Sequence, residues 1–129
     1  NPRPLKPKDN ILFVETLFLG KKNTFMLTML LDTGAFMTTI PKEVAIVLGC
    51  KPAQSRKRMS IITASGNRSV ALVTIPKIQC FGYELTNVEV ACLDLTSQSV
   101  AVGLLGLNVL DKFKLTLNFP HKRLKVSRG

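Results

Sequence analysis

The chain has 129 residues, of which 46% are hydrophobic and 20% are charged, and it carries a formal net charge of +10. This length is that of one ordinary globular domain, and this composition excludes an intrinsically disordered chain. No apolar run approaches the ~20 residues that a membrane-spanning helix requires, so we expect a soluble fragment, with any membrane anchor outside it.

The positive charge raises the question of an acidic partner such as nucleic acid. The basic residues are spread from Arg3 to Arg128, with only modest clusters at residues 56–58 and 122–125. The chain has no Trp and one Tyr, and it lacks the repeated basic–aromatic motif that is typical of single-strand binders. We therefore interpret most of the charge as solvated surface and do not expect nucleic acid to be the main partner.

Cysteine and histidine usage argues against several kinds of site. Cys50, Cys80 and Cys92 form no C-x-x-C pair, which excludes a zinc ribbon and a thioredoxin-type motif, and we expect neither a metal nor a cofactor. The apolar neighbours of Cys80 and Cys92 favour buried free thiols, which points to a reducing compartment. The only histidine, His121, lies in a Pro-His-Lys turn, which disfavours Ser-His-Asp or Cys-His catalysis.

The chain divides into an arm and one domain. Residues 1–10 contain three prolines and three cations, which predict an extended N-terminal arm. Residues 11–127 alternate short apolar runs with turn-forming residues, the pattern of a single all-β domain. The arm and the last apolar segment, residues 124–128, are candidates for interface elements.

The first half of the domain predicts three strands and one helix, at residues 11–19, 24–31, 38–40 and 41–48 respectively. The nearly continuous apolar residues of 24–31 predict a strand that is buried on both faces. Pro41 suits the first turn of the helix, where its missing N–H costs nothing, and Gly49 suits a left-handed end.

The second half predicts further strands at residues 58–64, 69–75, 77–81, 85–93, 100–105, 114–119 and 124–126. Residues 65–68 predict the tip of a hairpin, and Gly82 with Tyr83 predicts the turn of a second hairpin. Asn108 is suited to cap a short helical turn at residues 109–113.

One acidic residue stands out in the segment LLDTGAFMTTIP, residues 30–41. Asp32 directly follows a predicted buried strand, where an ionised carboxylate is costly unless it is hydrogen-bonded or functional. Thr33 adds a hydroxyl group and Gly34 permits a tight turn, so we expect neighbouring backbone N–H groups to hold the carboxylate. The triplet Asp-Thr-Gly also arises by chance as an ordinary turn, so the triplet alone does not specify a function.

A second segment, GLLGLNVLDKF at residues 103–113, places two apolar residues and a glycine before a helical turn. A strand that ends in Asp-Thr-Gly-Ala, a hairpin some thirty residues later and this apolar-apolar-glycine motif occur in a set order. In this respect the chain resembles the retropepsin-like aspartic proteases, the family of the retroviral proteases and their single-domain relatives. The resemblance covers roughly residues 11–127.

The resemblance implies a small, closed, barrel-like all-β lobe with one or two short helices, active as a two-fold homodimer. It implies that Asp32 is catalytic, that Thr33 hydrogen-bonds across the dimer, and that Gly34 lets the two loops approach. Residues 104–106 would pack beneath the catalytic loop. The hairpin tip at residues 63–68 would be the flap, and the implied substrate-binding residues are Ala35, Thr63, Ala64, Ser65 and Gly66.

Peptide hydrolysis gives an independent reason for a pair of aspartates. It needs a base to activate water and an acid to protonate the leaving nitrogen, and two adjacent carboxylates that share a proton supply both. Asp9, Asp94 and Asp111 lie in contexts that favour structural roles, so a second copy of Asp32 is the expected partner. We therefore expect an aspartic endopeptidase that binds an extended peptide in largely apolar subsites.

Two alternatives stay open. Phe36 occupies a position that is usually small or polar in the family, which keeps open a dimerisation or binding module without catalysis. The flap tip also has a single glycine, Gly66, so its mobility can differ from that of the viral relatives. The other alternative is a small basic β-domain that binds nucleic acid and carries Asp-Thr-Gly by accident.

Overall fold

The computed structural model describes residues 2–4, 12–63, 66–94 and 103–129. These residues form mostly β-structure with two short α-helices and one 3-10 helix. In chain order the elements are β1 Pro2–Pro4, β2 Phe13–Leu19, β3 Thr24–Leu31, β4 Thr39–Pro41, α1 Lys42–Val47, the 3-10 helix Pro52–Gln54, β5 Arg58–Thr63, β6 Gly66–Cys80, β7 Tyr83–Leu93, β8 Gly103–Leu105, α2 Leu107–Leu110, β9 Phe113–Asn118 and β10 Arg123–Arg128.

Six of the described strands close into a barrel in the order β2-β3-β8-β4-β7-β6, because β6 pairs back with β2. The pairs β3–β8 and β4–β7 are parallel, and the other neighbours are antiparallel. Closure pairs strand edges that would otherwise stay open. β5 pairs with the first part of β6 and lies outside the closed ring as one arm of a hairpin. The predicted closed, barrel-like all-β lobe is thereby confirmed.

A second, three-stranded antiparallel sheet has the order β1-β10-β9. In it Pro2 aligns with Lys125 and Pro4 with Arg123, so both ends of the chain meet in one sheet. The rest of the predicted arm, residues 1 and 5–10, lies outside the described residues. Leu124 and Val126 of β10 are buried and join this sheet to the main core.

The main core fills the barrel and the space beneath α1 and α2. Each large apolar side chain that is fully buried there contributes about 1.5–3 kcal/mol. The largest fully buried apolar side chains are those of Phe18, Met29, Ile40, Leu48, Ile75, Ile78, Leu105, Leu124, Val90 and Val109. Cys80 and Cys92 are buried and Cys50 is half-buried, and all three are free thiols. This confirms the expectation for Cys80 and Cys92.

Helix α1 begins after Pro41, which is extended at φ −60° and ψ 138° and serves as the N-cap residue. The sequence placed Pro41 one residue further into the helix. Gly49 follows the helix with φ +100°, a left-handed conformation that favours glycine, as predicted. No helix in the described part of the chain is long and apolar enough to cross a membrane.

Strand β3 has the predicted bounds, but the prediction that it is buried on both faces is wrong. Met29 is fully buried, whereas Met26 is 53% exposed and Phe25 is 36% exposed. The barrel covers only its inner face, and no second described layer covers the outer face of the N-terminal half of β3. The apolar composition of residues 24–31 therefore does not imply burial on both faces of the strand.

Strand β6 is longer than predicted. It continues without a break from Gly66 to Cys80 across Pro76, where the sequence predicted two separate strands. Proline is tolerated in a strand where its missing N–H faces no neighbouring strand. Pro76 satisfies this condition because it lies between the end of the β5 pairing at Ala71 and the start of the β2 pairing at Lys77.

The turn of the first hairpin also differs from the prediction of residues 65–68. Thr63 pairs with Gly66, Ile62 with Asn67 and Ile61 with Arg68, so Asn67 and Arg68 belong to β6 and not to the turn. Thr63 and Gly66 form the last described pair of this hairpin, and residues 64–65 lie outside the described residues. The second hairpin turns at Phe81 and Gly82, with Tyr83 already in β7.

Candidate active site

Asp32 directly follows β3, at the point where that strand leaves the barrel. Its backbone N–H donates to the carbonyl oxygen of Leu105 in β8, at 3.1 Å. The preceding residue, Leu31, donates its N–H to the carbonyl of Leu12 at 2.9 Å. Backbone bonds on two sides therefore fix the position of Asp32, whose side chain is half-buried.

A tight turn over residues 32–35 orients the carboxylate. The N–H of Gly34 donates to Asp32 Oδ1 at 2.9 Å, and the N–H of Ala35 donates to the Asp32 carbonyl at 3.1 Å. A Cβ atom at Gly34 would lie 3.2 Å from Oδ1, so glycine leaves this hydrogen bond undisturbed. This confirms the expectation that a neighbouring backbone N–H holds the carboxylate.

The turn presents its outer residues to the surface. Thr33 and Gly34 are exposed, Ala35 is half-buried, and the Phe36 side chain is 74% exposed. The Phe36 side chain therefore lies largely in solvent next to the turn that carries the oriented carboxylate. The structure therefore brings Asp32, Thr33, Gly34 and Ala35 together on one protruding turn.

The apolar-apolar-glycine segment, residues 104–106, packs directly beneath this turn. Leu104 and Leu105 align in parallel with residues 30 and 31 of β3. The N–H of Leu107 donates to the Ala35 carbonyl at 2.8 Å, which ties α2 to the turn. A Cβ atom at Gly106 would lie 2.5 Å from the carbonyl carbon of Met37, so the approach requires glycine.

A buried polar network that the sequence did not reveal holds these parts together. Thr38 is fully buried, and its Oγ1 accepts a hydrogen bond from the Gly106 N–H at 3.0 Å. Its own N–H donates to Asn108 Oδ1 at 2.8 Å, and its carbonyl accepts from the Ala91 N–H at 2.9 Å. Asn108 Nδ2 in turn donates to the Glu89 carbonyl at 2.8 Å.

The prediction that Asn108 caps a helix is therefore wrong. Helix α2 begins at Leu107, two residues earlier than predicted; Gly106 is its N-cap residue, and no side chain caps it. The half-buried side chain of Asn108 instead accepts from the Thr38 N–H and donates to the Glu89 carbonyl, which satisfies both the acceptor and the donor of the amide. The apolar neighbours of Thr38 in the sequence could have indicated that its hydroxyl is buried. They do not show that its hydrogen-bond partner is the Gly106 N–H.

The hairpin of β5 and β6 packs against the same loop through a second apolar cluster. Met37, which follows the Asp32 turn, contacts this cluster, whose other members are Val70, Leu72, Ala91, Met59, Ile61 and Leu93. Near the tip, Ile62 is 88% exposed. Gly66 has φ +113° with open space around it, a conformation that favours glycine.

The predicted flap residues are only partly described. Thr63 and Gly66 form the last backbone pair of the hairpin. Ala64, Ser65 and the side chain of Thr63 lie outside the described residues. The structure thus brings Asp32, Thr33, Gly34 and Ala35 together, and gives the backbone position of Thr63 and Gly66 on the neighbouring hairpin.

Cys50 and Cys92 do not offer an activated nucleophile. Burial, and secondarily the neighbouring Cys50 thiol, raise the pKa of Cys92 to about 12, although Lys42 acts in the opposite direction. Burial likewise raises the pKa of Cys50. Both thiols therefore stay protonated at neutral pH, and the thiolate is the reactive form.

Comparison with known proteins agrees with this geometry. The family model for the gag-polyprotein putative aspartyl protease matches residues 19–112, which include the Asp32 turn, the hairpin and α2. The fold is similar to the crystal structure of a retropepsin-like aspartic protease from Rickettsia conorii, with 21% identity and a TM-score of 0.72 over 96% of this chain and 86% of that one. No curated protein matches the sequence. The chain has a retropepsin-like fold and belongs to this aspartyl protease family.

Proposed function

We propose that the chain is an aspartic endopeptidase whose active site pairs Asp32 of one subunit with Asp32 of a second copy. The observation that carries this proposal is the carboxylate of Asp32, which the Gly34 N–H orients at 2.9 Å on a turn tied to β8 and α2. Such fixed placement of an acid at a protruding surface has no evident structural purpose within one subunit. It suits a group that must meet a partner and a substrate.

The other described carboxylates near the site are otherwise engaged. Glu89 pairs with Lys57 at 2.7 Å, and Asp111 is exposed beside Lys112 at 3.9 Å. Among the described residues, Asp32 is therefore the carboxylate that is oriented at this turn, and a two-fold axis at the turn would supply the second. The exposed Thr33 would then hydrogen-bond across the axis, and Gly34 would allow the two turns to approach.

The exposed apolar side chains around the turn support such an interface. Phe36 is 74% exposed and Leu107, whose N–H bonds to the turn, is 40% exposed. An apolar surface next to a functional carboxylate is typical of an interaction site. A second copy that covers this surface would also exclude water from the carboxylate pair.

The chemistry follows from the pair. One carboxylate takes a proton from a bound water, whose oxygen attacks the carbonyl carbon of the scissile peptide bond. The other, protonated carboxylic acid donates a hydrogen bond to the carbonyl oxygen as negative charge develops there. The first carboxyl group then passes the proton it took from water to the amide nitrogen, the C–N bond breaks, and the pair returns to its starting protonation state. The pair shares one proton and titrates as a unit, with apparent pKa values that belong to both groups.

The substrate would lie extended between the Asp32 turns and the hairpins, with its backbone bonded strand-fashion. Ala35, Thr63, Ala64, Ser65 and Gly66 would contact it, and the exposed Ile62 next to the tip favours apolar subsites. Profiling cleavage products from a peptide library tests this directly. A strict requirement for a charged residue beside the cleaved bond would contradict apolar subsites.

The proposal is tested by cleavage of a diverse peptide mixture at high protein concentration between pH 3 and 7. We expect cleavage at mildly acidic pH that a pepstatin-type inhibitor blocks and that Asp32→Asn abolishes. Asp111→Asn is the matched control, because it removes the same charge from an exposed position. A wild-type chain that sedimentation shows to be a stable dimer, and that still cleaves nothing, would overturn the protease proposal.

That last outcome would favour the second candidate, a retropepsin-fold module that dimerises or binds partners without catalysis. The exposed Phe36 at the turn is the observation that keeps it in view, since an apolar side chain there serves an interface equally well. The two candidates differ only in whether Asp32→Asn changes a measurable reaction.

A further inference from the structure

The barrel leaves one stretch of strand edge open. Along one edge of β6, pairing with β5 ends at Ala71 and pairing with β2 begins at Lys77. On this edge no described strand pairs with residues 73–76, although the opposite edge of β6 is paired with β7 at residues 73–75. An open strand edge is a site at which another extended chain can add.

The backbone groups of Thr74 point into this gap. The Leu72 N–H donates to the Lys57 carbonyl at 2.8 Å, so the backbone N–H and C=O of Leu72 face the same edge of β6 as the gap. Backbone groups alternate in direction along a strand, so the N–H and C=O of Thr74, two residues later, face this edge too. A hydrogen bond on β7 supports the same orientation. Glu89, which aligns with Thr74 on β7, has its carbonyl bonded to Asn108 on the far side, at 2.8 Å.

A groove of about 710 Å³ lies over this gap. Its lining includes the apolar side chains of Leu72, Val73 and Pro76, and no aromatic side chain is among the described residues that line it. The same groove is also lined by five cationic residues, Lys21, Lys22, Lys51, Arg56 and Lys57. One carboxylate, Glu89, is present, so these side chains carry a net charge of +4 (five cations and one anion).

Most of this positive charge is not neutralised within the described part of the chain. Glu89 pairs with Lys57 at 2.7 Å. Lys21, Lys22, Lys51 and Arg56 are exposed and form no ion pair with a described carboxylate. The groove therefore combines an unpaired strand edge, apolar side chains and four cations available to a ligand.

The walls of the groove are held in place before any ligand binds. The Lys22 N–H donates to the Leu48 carbonyl at 3.1 Å, and the Asn23 side chain donates to the Val47 carbonyl at 2.9 Å. On the other wall, the Ser55 hydroxyl donates to the Leu72 carbonyl at 2.5 Å. A preformed site loses little conformational entropy on binding.

We propose that this groove binds an extended, acidic segment of a partner protein, which adds to β6 at Thr74 as a short strand. The exposed N–H and C=O groups of Thr74 would bond the peptide backbone, and the cations would bind its carboxylates. Single-stranded nucleic acid fits less well, because no described aromatic side chain offers a surface for base stacking. A second copy of this chain fits less well too, because its net charge of +10 would be repelled. The inference does not depend on catalysis by Asp32.

The test measures binding of a fluorescein-labelled peptide of alternating Glu and Val to the Asp32→Asn chain, which cannot cleave the probe if the proposed function holds. We expect the double variant Lys21→Glu/Lys51→Glu to weaken binding by at least about tenfold. Lys114→Glu/Lys125→Glu makes the same charge change on the exposed face of the other sheet and should alter the affinity by less than about twofold. Equal losses in the two double variants would overturn the assignment to the groove.

Strand addition is tested separately from charge. Thr74→Pro removes the N–H that faces the gap and leaves the cations in place, and we expect at least about tenfold weaker binding. The same test can be made without changing Thr74, by N-methylating the peptide at alternate residues. This peptide should bind the chain as weakly as the unmethylated peptide binds the Thr74→Pro variant. Unchanged affinity for the methylated peptide would overturn strand addition. Tighter binding of an oligothymidylate of equal charge would overturn the choice of a peptide.

Discussion

Thr38 and Asn108 lie 70 positions apart in the sequence, and the Thr38 N–H donates to Asn108 Oδ1 at 2.8 Å. Asn108 bonds at the same time to the Glu89 carbonyl, and the Thr38 hydroxyl accepts from Gly106. These bonds join the loop that carries Asp32 to β7 and to the start of α2. The position of the candidate catalytic residue therefore depends on a half-buried amide outside the Asp32 turn.

Replacing Asn108 by Ala should destabilise the fold more than an ordinary asparagine truncation. The change leaves the Thr38 N–H and the Glu89 carbonyl without partners in a partly buried site, and each costs about 1–3 kcal/mol. Urea denaturation measures the loss. Asn118→Ala is the control, because Asn118 accepts one exposed bond from the His121 N–H and should cost under about 1 kcal/mol. Similar losses in the two variants would contradict this account of Asn108.

Thr38→Val and Thr39→Val test neighbouring buried hydroxyls with the same change in shape. Thr38 Oγ1 accepts from the Gly106 N–H, so its removal leaves a buried donor unsatisfied and should cost about 1–3 kcal/mol. Thr39 Oγ1 is buried with no partner among the described residues, so Thr39→Val should be neutral or stabilising. Thermal unfolding compares the two. A stable Thr38 variant beside a destabilised Thr39 variant would contradict the network.

Gly106→Ala should displace the loop that carries Asp32. The new Cβ would lie 2.5 Å from the Met37 carbonyl carbon, which is backbone and cannot rotate away. We expect a loss of stability of about 1–3 kcal/mol together with loss of peptidase activity. Gly129→Ala, whose Cβ would lie 3.8 Å from the nearest atom, should change neither. Full activity in the Gly106 variant would show that the loop and α2 move independently.

Phe36→Ser should weaken self-association without weakening the fold. Phe36 is 74% exposed in one subunit, so its loss should change the free energy of unfolding of the monomer by under about 0.5 kcal/mol. If the turn lies on the two-fold axis, dimer affinity should fall by at least about tenfold. Sedimentation velocity over a range of concentrations measures this, with Phe119→Ser, at 62% exposed, as the matched control. Equal effects of the two variants would place the interface elsewhere.

Cys92 should make the fold less stable at high pH. Burial raises the pKa of Cys92 from an ordinary 9.0 to about 12, so between these values the unfolded chain loses a proton that the folded chain keeps. The stability is present in full below pH 9.0 and falls as the pH rises toward 12, by at most about 1.4 kcal/mol per pH unit. Urea denaturation at several pH values above 9.0 gives the free energy of unfolding as a function of pH, and this free energy should fall less steeply with pH in Cys92→Ala than in the wild type. Equal slopes in the two chains would contradict the prediction.

Local features could be predicted from the sequence because neighbouring residues determine them. The bounds of β3, the left-handed Gly49 after α1 and the Asp32 turn with its Gly34 bond each depend on a few consecutive residues. The order of these motifs along the chain also sufficed for the resemblance to the retropepsin-like family, which the family match bears out. The sequence by itself therefore determined the fold class and the candidate catalytic turn.

Only the tertiary structure decided which residues far apart in the sequence hydrogen-bond to each other and which strand edges stay unpaired. The pairing of Thr38 with Gly106 spans 68 positions, and the gap over Thr74 exists because two different strands stop short of it. The exposed outer face of β3 likewise depends on what covers the strand and not on its apolar residues. The hydrogen-bond partner of a buried polar group, and the presence of an open strand edge, both depend on which distant segments of the chain come together. Patterns within a few consecutive residues do not show which segments these are.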